Sequence, residues 1–341
     1  MELSRPFIRL PFSFDADTLA SEVASIPANA WMAHPSRMRG NSAVALISRD
    51  GGDNDDFEGR MQPTPHLRSC PYTEQVMGSF GEVLARSRLM RLAPGCEVQM
   101  HVDFNYHWYT RVRIHVPIVT DPRVIFHCGE ERVNMQPGEC WIFDSWRRHR
   151  VVNAGDSDRV HLVVDLSGSS RFWQLVRQAE GLPDSVEAKF IPFDPACQVT
   201  LLTEQYNTAP VMAPGEVDAL VRELVLDFSS HPDNDPLLVQ RYTLLLGDFC
   251  KDWRQVWLQH GYEPAGSARY RALIESLRSQ LHADPRALIT GSNQVGVNPI
   301  IVQRILRPAL APEHADQFNG GGWQASIRSA PRTEAAQDGH E

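Results

Sequence analysis

The sequence predicts a mainly β core with flanking helices, followed by a helical C-terminal region. Two observations favour this fold class. Between residues 89 and 167 short β segments alternate with turn signals, and after residue 168 apolar residues recur with the 3.6-residue period of a helix. The strand spacing is typical of an all-β sandwich or barrel, of which the eight-stranded jelly roll is one version.

The segments before the β region mix both kinds of structure. They are predicted in chain order as a helix over 14–26, a strand over 43–48, a polar Gly/Asp-rich loop over 49–59 and a helix over 72–88. Ser13 and Asp15 are candidate N-caps of the first helix. The helix over 72–88 is predicted from the apolar spacing of Val76, Phe80 and Val83.

Seven strands are predicted in the β region, over 89–92, 98–104, 110–119, 123–127, 139–144, 149–153 and 159–167. Pro94-Gly95 and Pro137-Gly138 are turn signals. Five helices are predicted to follow, over 169–181, 214–230, 235–261, 267–281 and 298–306. We therefore expect a jelly-roll domain with N-terminal helices over 1–168, a helical region over 169–311 and a disordered tail over 312–341.

Composition excludes several classes of protein. The formal net charge of −9 argues against nucleic acid or an anionic membrane as a partner. The six cysteines are scattered without a C-x-x-C pair, which indicates reduced thiols. The sequence has no recognisable signal peptide and no apolar run of transmembrane length, so we expect a cytoplasmic protein. The oligomeric state cannot be predicted from these features.

Histidines are concentrated in the β region, which favours a metal or acid–base site. His101 and Asp103 are two residues apart in a predicted strand, so both project from one face and can bind one ion. A third ligand would have to come from a strand distant in sequence. Two histidines and one carboxylate with open positions are typical of non-haem Fe(II) oxygenases. By itself, H-x-D is also compatible with a solvated strand.

Two further predicted strands alternate strictly between apolar and polar residues. Arg111, Arg113 and His115 share one face of the first, and Arg159 and His161 share one face of the second. An inward face of this kind requires an anion, and a guanidinium pairs bidentately with a carboxylate such as that of 2-oxoglutarate. The alternative interpretation is that both faces meet water. Periodicity alone does not separate the two.

Several motifs together give a resemblance to a known family. They are, in order, H-x-D at 101–103, R-x-R-x-H at 111–115, G-E-x-W-x-F-D at 138–144, H-x-x-x-N at 149–153 and R-x-H-L-V-x-D at 159–165. This pattern resembles the aspartyl/asparaginyl β-hydroxylase family of Fe(II)- and 2-oxoglutarate-dependent dioxygenases, which includes bacterial proline cis-hydroxylases. The resemblance covers about residues 89–167, and more loosely the chain from about residue 31.

The resemblance implies a double-stranded β-helix, which is a jelly roll, with His101, Asp103 and His149 as iron ligands. It implies Fe(II), 2-oxoglutarate and O₂ as cofactor and cosubstrates. Arg159 matches the arginine that binds the distal carboxylate of 2-oxoglutarate, and Arg113 matches a position that also contacts the cosubstrate, with His115 beside it.

The remaining histidines of interest have weaker assignments. His161 is interpreted either as a residue supporting the site or as a core histidine. His107 and His127 are expected in a loop and on the surface, and His34 is a candidate for the substrate pocket. Asp144 or Asn153 is expected to orient a metal ligand.

The implied activity is hydroxylation of an unactivated C–H bond in an amino acid or an aspartyl/asparaginyl-type residue, with succinate and CO₂ as co-products. The presence of Asp103 disfavours halogenation, which needs that ligand position vacant. Trp108, Tyr106, Trp146 and Arg39 are candidate substrate contacts. The alternatives are a free L-proline cis-hydroxylase, a metal-binding cupin without oxygenase activity, and an inactive scaffold.

Overall fold

The computed structural model describes residues 3–35, 38–181 and 188–311. The predicted tail over 312–341 lies outside the described residues. The strands are Phe7–Phe14 (β1), Met32–Ala33 (β2), Asn41–Arg49 (β3), Met61–Pro63 (β4), Val83–Leu92 (β5), Cys96–His101 (β6), Val112–Val119 (β7), Val124–Cys128 (β8), Glu131–Val133 (β9), Glu139–Phe143 (β10), His149–Asn153 (β11), Arg159–Leu166 (β12), Lys189–Ile191 (β13) and Leu202–Thr203 (β14).

The α-helices are Ala16–Ser25 (α1), Pro65–Arg68 (α2), Pro71–Ser79 (α3), Tyr106–Thr110 (α4), Ser170–Glu180 (α5), Pro214–Ser229 (α6), Pro236–His260 (α7), Ser267–Gln280 (α8), Val297–Ile300 (α9) and Arg307–Ala309 (α10). Short 3₁₀ turns occupy Ala28–Ala30 and Pro264–Gly266, and a π-helical turn covers Ile301–Leu306. Asp15 caps α1 by accepting hydrogen bonds from the amides of Asp17 and Thr18, as its candidate role predicts.

Strands β5 to β12 form the predicted jelly roll. The larger sheet contains the order β10-β7-β12-β5, extended on one side by β1 and β13 and on the other by β3 and β2. The smaller sheet has the order β6-β11-β8-β9. The chain therefore passes repeatedly between two four-stranded layers, which is the double-sheet arrangement of a jelly roll, and the prediction is confirmed.

The two faces of the larger sheet bury different chemistry. Its outer face carries Val112, Ile114, Leu162 and Val164, which pack in one apolar core with residues of the N-terminal helices and α5. Its inner face carries the arginines and histidines of β7 and β12. His115, Arg159 and His161 are buried, and the Arg113 side chain is 14% exposed. The polar face therefore looks into the space between the sheets, and the alternative of a solvated face is wrong.

The prediction of a helix over 72–88 is wrong in its second half. The helix α3 ends at Ser79, and β5 begins at Val83. Gly81 adopts a positive φ of 63°, a conformation that favours glycine and that ends the helix. Residues 84–92 then pair with β12, and residues 87–92 also pair with β3, so long-range strand pairing decides the local structure.

The C-terminal helices enclose a second apolar core. It includes Leu220, Phe228, Tyr242 and Trp253, and it reaches the jelly roll at Val102 and Trp146. Within the described ranges, every helix is too short or too polar to span a bilayer.

We expect Ile114→Ala to lower the free energy of unfolding by about 2–5 kcal/mol, because Ile114 is fully buried between the sheet and the helices on its outer face. Chemical denaturation of the purified protein measures the change. Leu258→Ala is the matched control, since Leu258 is 72% exposed on α7 and its loss should change stability by no more than about 0.5 kcal/mol. Equal effects of the two substitutions would contradict the assigned core.

Candidate metal centre and active site

Three predicted ligands come together at one end of the smaller sheet. His101 ends β6 and His149 begins β11, and the two residues are directly paired across the strands. Their Nε2 atoms lie 3.9 and 3.8 Å from the carboxylate oxygens of Asp103. One candidate ligand atom from each residue lies within 4.8 Å of the others, a spacing at which the three can hold one metal ion.

The H-x-D prediction placed both residues on one strand, and the structure refines this. The strand β6 ends at His101, so Asp103 lies in the segment that follows. The Asp103 amide donates to the Ser145 carbonyl oxygen at 3.0 Å. This bond joins the segment after β6 to the turn before His149, so the carboxylate still faces both imidazoles.

Backbone carbonyls orient both imidazole rings. His101 Nδ1 lies 2.7 Å from the Gln99 oxygen, and His149 Nδ1 lies 2.9 Å from the Arg147 oxygen. A ring that donates through Nδ1 keeps the lone pair of Nε2 for a metal. The two Nε2 atoms are those that face Asp103, so the hydrogen-bonding pattern fits metal ligation.

Burial and charge favour the protonation states that a metal needs. Burial, reinforced by His101, lowers the pKa of His149 to about 3, so its imidazole is neutral at pH 7. Burial alone would raise the pKa of Asp103, but His149, His101 and Arg113 hold it below its usual range. Two imidazoles and one carboxylate match the donor set of a non-haem Fe(II) site.

A buried cation lies on the inner face of the larger sheet. Arg159, at the start of β12, is 5% exposed, and among the described residues its guanidinium has no carboxylate partner. Its Nη2 lies 2.8 Å from His161 Nδ1, which in turn lies 3.3 Å from His115 Nδ1. Burial lowers the pKa of Arg159 to about 9. Such a guanidinium is costly unless an anion accompanies it.

The pocket around Arg159 also has unused hydrogen-bonding atoms. Within the described part of the chain, Arg159 Nε and the Nε2 atoms of His115 and His161 are buried without a partner. Burial, with Arg159 next, keeps the pKa values of both histidines well below their usual range. Three polar atoms around a buried cation fit a carboxylate ligand such as the distal end of 2-oxoglutarate.

Arg113 joins the metal ligand to a second buried carboxylate. On adjacent strands Arg113 and Asp165 are directly paired, and Arg113 Nε donates to Asp165 Oδ1 at 3.0 Å. Arg113 Nη1 lies 4.0 Å from Asp103 Oδ2, and its guanidinium stacks 3.8 Å from the centre of the Trp108 ring. Arg113 is therefore fixed between the metal site and the strand β12.

A cavity of about 550 Å³ leads outwards from the metal ligands. Near the metal it is lined by Asp103, Phe57 and Trp108. Its outer part is lined by residues of the C-terminal region, among them Met212, Glu216, Gln303 and Arg307. The volume falls within the range of about 300–1,000 Å³ usual for small-molecule sites.

Two of the four candidate substrate residues line this cavity. Trp108 and Tyr106 do so from α4. Trp146 is buried away from the cavity and donates through Nε1 to Ser292 Oγ at 2.8 Å, and Arg39 is exposed outside it. The structure therefore brings Trp108 and Tyr106 to the metal centre but not Trp146 or Arg39.

The expectation for His107 is wrong. It is 5% exposed in α4, and its Nε2 lies 3.3 Å from Asp165 Oδ2, so it supports the carboxylate that holds Arg113. Its helix packs against the sheet, which the sequence around it did not indicate. His127 is half-buried in β8 and pairs with Arg150 on the next strand. His34 is buried, and burial followed by the charge of Arg88 lowers its pKa to about 3.

Asp144 and Asn153 have different roles. The Asp144 carboxylate is fully buried and accepts from the amide of Trp146 at 2.9 Å and from Arg147 Nε at 2.9 Å, so it orders the turn before His149. Asn153 donates to the carbonyl oxygens of Leu92 and Ser157. It therefore stabilises a turn and does not orient a metal ligand.

Sequence reasoning missed the roles of Asp165, Arg86 and Arg88. The alternation of β12 placed Asp165 on the inner face, but only strand register pairs it with Arg113. Arg86 and Arg88 fell in a segment predicted as helix, yet both are buried and bind Asp55 at 2.7 and 2.6 Å. Asp55 belongs to the polar loop at 49–59, so these contacts hold that loop over the cavity.

The comparison with protein families agrees with this geometry. Residues 43–168 match the model described as aspartyl/asparaginyl beta-hydroxylase. The chain is similar to that family over these residues. The matched segment contains all eight jelly-roll strands complete, β5 to β12, and all three candidate metal ligands, together with Arg113 and Arg159.

A curated relative extends the comparison. The chain is 30% identical over 139 residues to L-proline cis-3-hydroxylase 1 from a Streptomyces species, covering 38% of this chain and 48% of the relative. The chain thus spans about half the length of the curated relative that it matches.

Two solved structures are similar at low scores. One is a prolyl hydroxylase from Trichoplax adhaerens bound to a hypoxia inducible factor peptide, at 11% identity and a TM-score of 0.36, covering 52% of this chain and 88% of that one. The other is a 2OG-Fe(II) oxygenase family oxidoreductase from Burkholderia pseudomallei, at 15% identity and a TM-score of 0.32, covering 44% and 76%. The strand order of the chain itself, and not these likenesses, defines its fold.

We expect His149→Ala to weaken binding of Co(II) by more than about 100-fold. Loss of a group that hydrogen-bonds to a metal ligand weakens metal binding by about 10- to 100-fold, and loss of the ligand itself should have a larger effect. The absorption spectrum of bound Co(II) measures the affinity. His127→Ala is the control, since His127 lies on the neighbouring strand and outside the group of candidate ligands. Equal Co(II) affinity in the two variants would contradict the assigned metal site.

Asp165→Asn should lower the free energy of unfolding at pH 7 by about 3–5 kcal/mol, because it removes the fully buried carboxylate and leaves the Arg113 guanidinium, 14% exposed, without its ion-pair partner. Burial would raise the pKa of Asp165, but Arg113 and His107 hold it well below its usual range. A lowered pKa contributes stability above the unfolded value of about 3.9 and loses it as the pH falls towards the folded value. Denaturation curves should therefore show the difference between wild type and variant narrowing below about pH 4. A difference independent of pH would contradict the ionised pair.

Proposed function

We propose that this protein is an Fe(II)- and 2-oxoglutarate-dependent dioxygenase that hydroxylates an unactivated C–H bond of an amino acid or amino-acid residue, with succinate and CO₂ as co-products. The observation that carries the proposal is Arg159. It is a buried guanidinium without a carboxylate partner among the described residues, on the inner face of the larger sheet, which looks towards the smaller sheet that bears His101 and His149. A metal site alone serves many jelly rolls, but this cation requires an anion.

The residues have the following roles in this proposal. His101, Asp103 and His149 hold Fe(II), and Arg159 pairs with the distal carboxylate of 2-oxoglutarate while His115 and His161 complete that pocket. Bound iron with its cosubstrates supplies the oxidising power for C–H hydroxylation. Arg113 balances the charge of Asp103 and is kept in place by Asp165.

The cavity on the outer side of the metal is the proposed substrate site. Trp108 and Phe57 form an aromatic wall beside Asp103, with their rings in edge-to-face contact at 5.5 Å between centroids. Such a wall excludes water from the reacting bond. The curated relative named L-proline cis-3-hydroxylase 1 supports L-proline as the first substrate to test.

A metal-binding cupin without oxygenase activity is the rival function. It would need the metal ligands but would gain nothing from an unpaired buried arginine beside them. Arg159 therefore favours the oxygenase.

The free thiols of all six cysteines support our expectation of a cytoplasmic location.

We expect wild-type protein mixed anaerobically with Fe(II) and 2-oxoglutarate to develop a weak visible metal-to-ligand charge-transfer band. Arg159→Met should raise the 2-oxoglutarate concentration that gives half of the maximal band absorbance by at least about 10-fold. The reason is that a hydrogen bond to a charged group contributes about 1.5–3 kcal/mol to binding. Titration followed by absorbance measures this.

Arg123→Met is the control for that titration, since Arg123 forms its ion pairs at the surface with Asp121 and Asp156. It should titrate like wild type. Absence of the band in wild type would overturn the proposed function, and an unchanged titration in Arg159→Met would overturn the role of that residue.

Succinate release should depend on the presence of a substrate. We expect L-proline or a related amino acid, free or within a peptide, to increase succinate formation by wild type above the rate without substrate. Mass spectrometry should find a product that is 16 mass units heavier than the substrate, which is the mass of one oxygen atom. If no member of a panel of free amino acids and peptides raises the rate, the proposed substrate class is wrong.

A further inference from the structure

The helical C-terminal region lies outside the segment that matches the hydroxylase family, yet it contacts two chain segments that contain or directly adjoin metal ligands. One is the segment that follows β6, with Asp103 and Phe104. The other is the turn at 144–148, which leads directly into His149. We describe these two as the ligand segments.

Arg304 binds the first ligand segment. It lies in the π-helical turn Ile301–Leu306, is 3% exposed, and donates from Nε to the Phe104 carbonyl oxygen at 3.2 Å. Phe104 directly follows Asp103, so this contact fixes the backbone next to the carboxylate ligand. π-Helical turns occur often at functional sites.

The same guanidinium also contacts the second ligand segment. Arg304 stacks 4.1 Å from the centre of the Trp146 ring, three residues before His149. It lies 4.8 Å from the ring of Tyr109 in α4 and 3.7 Å from a carboxylate oxygen of Glu223 in α6. One buried cation therefore touches both ligand segments and is anchored to a helix of the C-terminal region.

A second group of contacts holds the turn before His149. Asn293 Nδ2 donates to the Trp146 carbonyl oxygen at 2.9 Å, and Trp146 Nε1 donates to Ser292 Oγ at 2.8 Å. Ser292 in turn donates to Asp227 of α6 from both its amide, at 2.9 Å, and its hydroxyl, at 2.6 Å. Asn293 and Trp146 are both buried, so these bonds are shielded from water.

We propose that the helical region is a working part of the metal centre, in which Arg304 and Asn293 are positioning residues that hold Asp103 and His149 at the metal-binding separation. The two sets of contacts converge on the only described group of residues with metal-ligand spacing. The inference rests on the proposed function only in taking the metal to be the iron of an oxygenase.

The same turn also links the metal centre to the substrate cavity. Gln303 directly precedes Arg304 in this turn, Arg307 begins α10 directly after the turn, and both side chains line the cavity. A substrate held by this wall therefore contacts the element that also holds the ligand segments.

The test measures Co(II) affinity without any cosubstrate. Arg304→Met and Asn293→Ala should weaken Co(II) binding by about 10- to 100-fold, the usual effect of losing a group that supports a ligand. Arg304→Lys keeps the charge but not the planar stack and should recover part of the loss. Tyr270→Phe is the matched control, because it removes a hydrogen bond of the helical region, to the Gly261 carbonyl, far from the ligand segments.

Thermal unfolding of each variant separates positioning from general stability. A lower Co(II) affinity in Asn293→Ala, with a melting temperature no lower than that of Tyr270→Phe, supports the proposal even if Arg304→Met does not fold. Wild-type affinity in both Asn293→Ala and a folded Arg304 variant overturns it. If wild type binds Co(II) but gives no charge-transfer band with Fe(II) and 2-oxoglutarate, the proposed function fails while the Co(II) comparison still decides this inference.

Discussion

The ion pair of Asp165 and Arg113, buried between the two sheets, is the interaction on which the rest of the site depends. Because the two residues are directly paired on adjacent strands, the jelly-roll register itself brings them together. Asp165 holds the Arg113 guanidinium in a position where it also balances the charge of Asp103 and stacks on the Trp108 ring. Asp165 is thereby paired with Arg113, and Asp55 with Arg86 and Arg88. Arg159 has no carboxylate partner among the described residues, so an incoming anion would supply the opposite charge.

The strand pattern and the candidate ligands were readable from the sequence because both depend on local alternation. A strand has a period of two, so alternating residues in β7 and β12 revealed an apolar and a polar face. Whether that polar face met water or the interior depended on the second sheet, which periodicity does not encode. His149 was assigned by resemblance to a family, and its direct pairing with His101 is a property of the sheet.

The contacts that sequence reasoning missed are those made by pairing distant segments. Residues 83–88 have a helix-like apolar spacing but become part of β5, because β12, β14 and β3 all pair with that strand. Arg304 lies 200 residues from Phe104, and nothing in its own helix distinguishes it from a surface arginine. The family match ends before these helices, so the contribution of the C-terminal region to the site emerges only from the folded chain.

The central claim is that one anion bridges the metal and Arg159. A crystal structure of the protein with Mn(II) and N-oxalylglycine, an inert analogue of 2-oxoglutarate, tests it most directly. The account predicts an anomalous Mn(II) peak at bonding distance from His101, Asp103 and His149, with the far carboxylate of the analogue paired to Arg159. A metal bound elsewhere, or an analogue whose far carboxylate leaves Arg159 without a partner, would contradict it.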